Sequence, residues 1–243
     1  MGFEKLSSYK VLTFDVYGTL IDWESGMLAA LRPLLDRVPC ALSNDDILAA
    51  HARHESTAQR WTPSKKYRAL LAVVYRRLAE EWGVRASWED CTAYGHSVRH
   101  WPAFADSRAA LAYLRQQYRL VVLTNTDNQS FAGATARLGV EFDAVYTAED
   151  IGSYKPDGRN FTYMIEDLAR RGIEAHEVLH VAESLFHDHA PANRHGLSSC
   201  WIHRRHDKQG FGATMPPATT PTYGFRFPSL AAMVEAHKAE QTR

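Results

Sequence analysis

Hydrophobic and polar positions along this chain follow two alternating rhythms. In the first, a short apolar run is cut off by a polar turn. Val11-Leu12-Thr13-Phe14 is the sharpest case: it stops at Asp15, and Gly18 follows three residues later. Such a run reads as a strand buried on both faces that delivers a carboxylate to the carboxyl edge of an open parallel sheet. Four more runs read the same way, at 119–124, 142–146, 178–182 and 199–202. Between them lie stretches with helical spacing at about 128–138, 158–172 and 186–195. Strand and helix in alternation predict βαβ units and a parallel sheet.

The second rhythm fills the region from Trp23 to about Arg99, which is helical nearly throughout. Leu70, Leu71, Val74 and Leu78 recur on one helical face, and Ser43-Asn44-Asp45-Asp46 supplies a helix start ahead of Ile47 and Leu48. A helical block placed directly after the first strand predicts a lid over the strand tips. The expected organisation is an α/β, Rossmann-like parallel-sheet core from 1–20 and 100–243, with an inserted α-helical cap over 21–99. Leu20–Trp23 and Trp101-Pro102 are the expected hinges. The segment 209–223, rich in Gly, Pro and Thr, reads as a surface loop, and 228–240 as a closing helix.

Composition narrows the function classes. The chain has 243 residues, enough for such a core and cap, and 28 basic residues balance 28 acidic ones. That balance predicts neither a nucleic-acid nor an anionic-membrane partner. No apolar run approaches the roughly 20 residues that span a bilayer. Met1-Gly2-Phe3-Glu4-Lys5 lacks the basic-then-apolar order of a signal peptide. Cys40, Cys91 and Cys200 stand far apart without metal-ligand spacing, which fits a reducing, cytoplasmic setting.

Chemistry gathers at the strand ends. The first strand ends in Asp15, the next in Thr124-Asn125, and a later one in Glu183-Ser184 followed by His187-Asp188. Lys155 lies in the loop Gly152-Ser153-Tyr154-Lys155-Pro156-Asp157. In a parallel sheet these groups meet at one edge, offering a nucleophilic carboxylate, a hydroxyl and amide to hold an anion, and a balancing cation. A carboxylate so placed can attack and later leave as an ester or acyl-phosphate.

The order Asp-x-Tyr-Gly-Thr, Thr-Asn, Tyr-Lys-Pro-Asp and a final acidic segment resembles the haloacid dehalogenase superfamily over essentially the whole chain. Phe14-Asp15-Val16-Tyr17-Gly18-Thr19-Leu20 most resembles the type II 2-haloacid dehalogenases. The resemblance implies that Asp15 displaces halide from the substrate carbon and forms an ester that water hydrolyses. It further implies that Thr19 and Lys155 orient Asp15, that Thr124 and Asn125 bind the substrate carboxylate, and that Asp188 orients Lys155 or the water. Superfamily phosphatases carry a second aspartate where this chain has Tyr17, which is expected to line the substrate site instead. With a pKa near 10, a tyrosine is a poor replacement for that acid and base.

Three departures bear on the leaving group. The arginine that cradles halide in such dehalogenases falls on Ala50, leaving His51 or Arg53 as replacements. Phe161 stands where dehalogenases present a tyrosine. Glu183 and Asp188 are spaced like the acidic pair that holds magnesium in superfamily phosphatases, where they would join Asp15 and the Tyr17 carbonyl. The expectation is therefore a hydrolase of small carboxylates that requires no cofactor. A magnesium-dependent phosphatase, a hydrolase with a non-halide leaving group and a ligand-binding descendant of the fold stand as alternatives. His187 and His189 are read as exposed or capping, and Trp61, Tyr67, Tyr75 and Trp82 as cap core or pocket lining. A homodimer is the expected assembly.

Overall fold

The computed structural model describes residues 5–242; the Met1–Glu4 stretch read above for a leader lies outside them. Its sheet has six parallel strands: β1 (Val11–Phe14), β2 (Arg119–Thr124), β3 (Ala144–Thr147), β4 (Val178–Ala182), β5 (Ser198–Ile202) and β6 (Phe225–Phe227), in the order β3-β2-β1-β4-β5-β6. β1 is thus central, and the chain leaves it for β2 on one side while β4 pairs on the other. Crevices at such a switch point are where α/β sheets place their sites.

Side chains alternate across the sheet. Leu12, Phe14, Leu120, Val122, Leu179 and Val181 pack on one face with helices α5 (Ser107–Leu114) and α10 (Leu230–Gln241). Val11, Val121, Leu123 and Val178 pack on the other with Phe161, Met164 and Leu168 of α8 (Gly158–Arg170), a stripe at helical spacing. Burial on both faces explains why these strands read as continuous apolar runs rather than alternating ones. α6 (Asn128–Leu138) links β2 to β3, the four-residue α7 (Ala148–Ile151) follows β3, and α9 (Ala190–Arg194) precedes β5.

Four helices fill the region expected to form the cap: α1 (Trp23–Leu35), α2 (Asn44–Trp61), α3 (Tyr67–Glu81) and α4 (Trp88–Ser97). Ser43 caps α2 by accepting from the Asp46 amide, and Ser87 and Asp90 form a reciprocal capping box on α4. Leu70, Leu71, Val74 and Leu78 are fully buried. The two chain crossings lie side by side, tied by the Asp22 amide donating to the Pro102 carbonyl at 2.8 Å.

The structure adjusts three expectations. β3 starts at Ala144, because the Asp143 side chain turns away to accept from the Leu120 amide and from Arg115. The helix expected over 186–195 is a turn of π-helix, Leu185–His189, followed by the short α9. β6 was not expected, being a three-residue edge strand directly after the Gly- and Pro-rich loop. Among the described residues no helix is long and apolar enough to cross a membrane.

Candidate active site

Asp15 is the first residue beyond β1, and its amide still donates to Val181 of the neighbouring strand at 3.1 Å. The chain then reverses sharply. Leu20 and Ile21 both donate back to the Val16 carbonyl, at 2.7 and 2.9 Å. Gly18 makes the turn at φ +97°, where a Cβ would also press on the Trp23 indole. The reversal brings Thr19 back over Asp15, and its hydroxyl donates to Asp15 Oδ2 at 2.7 Å. Thr19 Oγ in turn accepts the Glu183 amide from the β4 tip at 2.9 Å.

Lys155 Nζ, almost fully buried, spends its three N–H groups on Asp15 Oδ1 at 2.9 Å, Asp188 Oδ1 at 2.7 Å and the Leu123 carbonyl at 2.8 Å. Its backbone is clamped by Asn125, whose amide donates to the Lys155 carbonyl at 3.0 Å and accepts the Lys155 N–H at 2.7 Å. Behind Asp188, His180 on β4 donates from Nε2 to Oδ1 at 3.0 Å, while its Nδ1 meets Thr13 Oγ at 2.8 Å. One cation and one imidazole thus hold Asp188 well below the usual carboxylate range, against the burial that would raise it. Burial pushes the Asp15 carboxyl up and the charge on Asp188 adds to that, while Lys155 and Thr19 draw it back down.

These groups face a small, partly open cavity of about 20 Å³, room for roughly one water. Core residues supply Asp15, Tyr17, Thr124, Lys155, His187 and Asp188, together with Asn125, Thr126 and Ser184; the cap supplies Trp23, Glu55 and Tyr67. Thr124 and Thr126 pair hydroxyl to hydroxyl at 3.0 Å. The Tyr17 hydroxyl donates to the Ser130 carbonyl at 3.2 Å, and its ring meets Trp101 edge-on at 5.9 Å. Burial, and secondarily the charge of Asp127, pushes this phenol far above its ordinary range.

Three expected site residues are placed elsewhere. Arg53 lies on the outer side of α2, more than half exposed, and pairs with Glu81 at 2.8 Å. His51 is fully buried beside Tyr94, and Nδ1 stands 3.4 Å from Glu55, behind the cavity wall rather than in it. Phe161 is sealed in the core under the sheet, edge-on to the His180 ring at 5.2 Å, where it props the imidazole behind Asp188. What the cap presents to the cavity is a carboxylate. Glu55 Oε1 accepts from Tyr67 at 2.8 Å and from Gln59 at 3.0 Å. His51, Glu55 and Gln59 recur every four residues, which places them on one face of α2, and that period was the available signal. His187, read as exposed or capping, has its amide on Ser184 Oγ at 2.9 Å and its ring in the cavity wall. Trp61 is largely exposed, whereas Tyr67 does line the cavity.

Of the set considered for magnesium, Asp15, Tyr17 and Asp188 line the cavity together, and Glu183 does not join them. Lys155 occupies the space between Asp15 and Asp188, and Glu183 lines the neighbouring cleft with Glu24, Arg204 and Arg205. There burial, with Glu24 next, pushes its carboxyl up to about 8. Among the described residues no three His, Cys, Asp or Glu side chains form a metal-holding group. With Lys155 bonded to both Asp15 and Asp188 and Glu183 in the neighbouring cleft, the described residues leave the ion an incomplete set of side-chain ligands.

A parallel α/β core whose central strand presents a lysine-clamped aspartate under a helical cap defines a class of α/β hydrolases. The chain belongs to the haloacid dehalogenase-like hydrolases, whose family model matches residues 9–196. It is 24% identical over 207 residues to the protein named "Putative HAD-hydrolase YfnB" of Bacillus subtilis, covering 81% of this chain and 85% of that one. A structure of YfnB described as bound to magnesium superposes with a TM-score of 0.72 at 21% identity, over 95% of this chain and 99% of that chain. The L-2-haloacid dehalogenase RSc1362 superposes at 0.76 with 19% identity, over 95% and 99% of the two chains. The L-2-haloacid dehalogenase of Xanthobacter autotrophicus with chloropropionic acid covalently bound does so at 0.73 with 19% identity, over 95% and 98%. At such identities the structural likeness extends to the fold.

Proposed function

We propose that this chain hydrolyses small 2-substituted carboxylic acids through an ester at Asp15, without a metal, 2-halo acids being the reference substrates. The observation that carries this reading is the Lys155 clamp on Asp15 beside Tyr17. The nucleophile is already neutralised by a fixed ammonium, and the position two residues on holds a phenol already committed to Ser130. Displacement at carbon suits that arrangement. A carboxylate oxygen of Asp15 forms a bond to C2, the carbon–halogen bond breaks, and halide leaves with its electron pair and needs no proton. Water then attacks the Asp15 carbonyl and releases the 2-hydroxy acid. Thr124 and Asn125, at the tip of β2, are assigned to the substrate carboxylate end of the cavity.

Glu55 favours a second reading within the same mechanism. A carboxylate on the cap side repels a departing anion, where an arginine would attract it. It suits a leaving group that departs neutral, or, with Glu55 in its acid form, a strained ring whose oxygen takes the Glu55 proton as the carbon–oxygen bond breaks. The test is turnover of L- and D-2-chloropropionate, chloroacetate, fluoroacetate, an epoxy carboxylate and p-nitrophenyl phosphate, each with EDTA or magnesium and with Asp15→Asn as the blank. Halide release that survives EDTA and vanishes in Asp15→Asn is the expected outcome. Epoxide opening without halide release selects the second reading. Magnesium-dependent phosphate release alone overturns both.

A further inference from the structure

Hydrolysis of an Asp15 ester needs a group to take a proton from the attacking water, and the cavity wall narrows the choice. Tyr17 donates to Ser130, Tyr67 donates to Glu55, and Thr124 pairs with Thr126. Glu55 Oε1 already accepts from two donors, and Oε2 faces His51. Lys155 has no lone pair to offer while protonated. Only two buried polar atoms of the described cavity-lining side chains lack a partner: His187 Nε2 and Asp188 Oδ2. Buried polar atoms are nearly always paired, so two orphans on neighbouring side chains that line one small cavity call for a partner, which a bridging water would supply to both.

Their chemistry differs. Asp188 is stabilised as an anion by Lys155 and His180, which makes it a weak base but a good acceptor that orients a water. His187 is anchored on Ser184, with Ser184 Oγ 3.2 Å from Nδ1; in the tautomer whose Nδ1–H donates to that oxygen, the unpartnered Nε2 carries the lone pair. Resting on the ester mechanism above, we propose that His187 is the catalytic base of the second half-reaction, taking its proton from a water held between His187 Nε2 and Asp188 Oδ2.

The step balances without any other reactant. The water oxygen bonds to Cγ of Asp15 as one O–H proton passes to His187 Nε2. The tetrahedral intermediate collapses, the bond from Cγ to the substrate oxygen breaks, and the imidazolium returns its proton to that oxygen. The product leaves as the hydroxy acid, and the regenerated carboxyl of Asp15 releases one proton to solvent.

The test is intact-protein mass spectrometry during a single turnover of L-2-bromopropionate by the wild type, His187→Gln and His187→Gly. Both variants should release bromide within a few-fold of the wild-type rate and accumulate the carboxyethyl ester on Asp15. Their steady-state turnover should fall by about 10²–10⁴-fold. Formation of the ester shows that a variant is folded, and added imidazole should speed ester loss in His187→Gly. A His187→Gln enzyme that accumulates no ester and turns over at the wild-type rate overturns the role, as does a folded variant that is slowed equally in bromide release. A wild type that forms no adduct and releases no bromide overturns the displacement reading itself, and the role of His187 with it.

Discussion

At the scale of single residues, the centre is one ammonium shared by two buried carboxylates. Replacing Lys155 by methionine keeps the volume but leaves Asp15 and Asp188 buried without their cation, a change that costs about 3–5 kcal/mol when one partner of a buried pair is lost. Lys155→Met should therefore lower the urea midpoint markedly as well as abolish turnover; an unchanged midpoint would show that the clamp contributes nothing to folding. Asp15 and Lys155 were legible in the sequence because nothing in the packing of a strand tip or a turn asks for a charge there. Glu55 was not, because an acid on a helix rich in charge reads as a solvated face until the direction of that face is known. For the same reason Arg53 seemed available: three residues separate it from Ala50, and on α2 that is enough to turn it to Glu81.

Between elements, close approach is set by glycine at two helix contacts. A Cβ on Gly95 of α4 would stand 2.1 Å from the Arg68 carbonyl oxygen of α3, and one on Gly26 of α1 would stand 2.3 Å from the Trp101 ring. The first obstacle is backbone and cannot rotate away. Gly95→Ala should therefore destabilise the protein by about 1–3 kcal/mol, as overpacking does, despite the better helix propensity of alanine. Urea unfolding followed by circular dichroism measures it, and a gain in stability would mean that α3 and α4 can slide apart at little cost. Long periodic segments such as α2 and α3, and the doubly buried β1, β2 and β4, were readable in the sequence because each repeats its period or its apolar run. The π-helical turn was not, since the wider turn registers only in hydrogen bonds. β6 was not either, because three residues are too few to show a period.

Over the whole molecule, a handful of polar ties close the cap onto the core. Asp127, fully buried, accepts from the Arg68 amide of the cap at 2.8 Å and caps α6 through Ser130. Lys66 pairs with Glu149 at 2.6 Å. On the opposite side Arg205 reaches Glu24 at 2.6 Å and Asp45 at 2.8 Å. Because Arg205 lies after β5 while both acids lie in the cap region, Arg205→Ala should release one side of the lid. Amide exchange in α1 and α2 should then quicken several-fold while β1 and β4 stay as slow as before; equal exchange everywhere would mean that the lid is held by its apolar contacts alone.

The small volume of the cavity bears on what could reach the Asp15 ester proposed above. A chamber this small leaves little room for an alcohol, amine or second organic acid beside such an ester while the lid is shut. On the proposed mechanism, methanol or hydroxylamine reaching Cγ would still free the 2-hydroxy acid but leave Asp15 as its methyl ester or hydroxamate, so walls that exclude them keep the nucleophile from being used up.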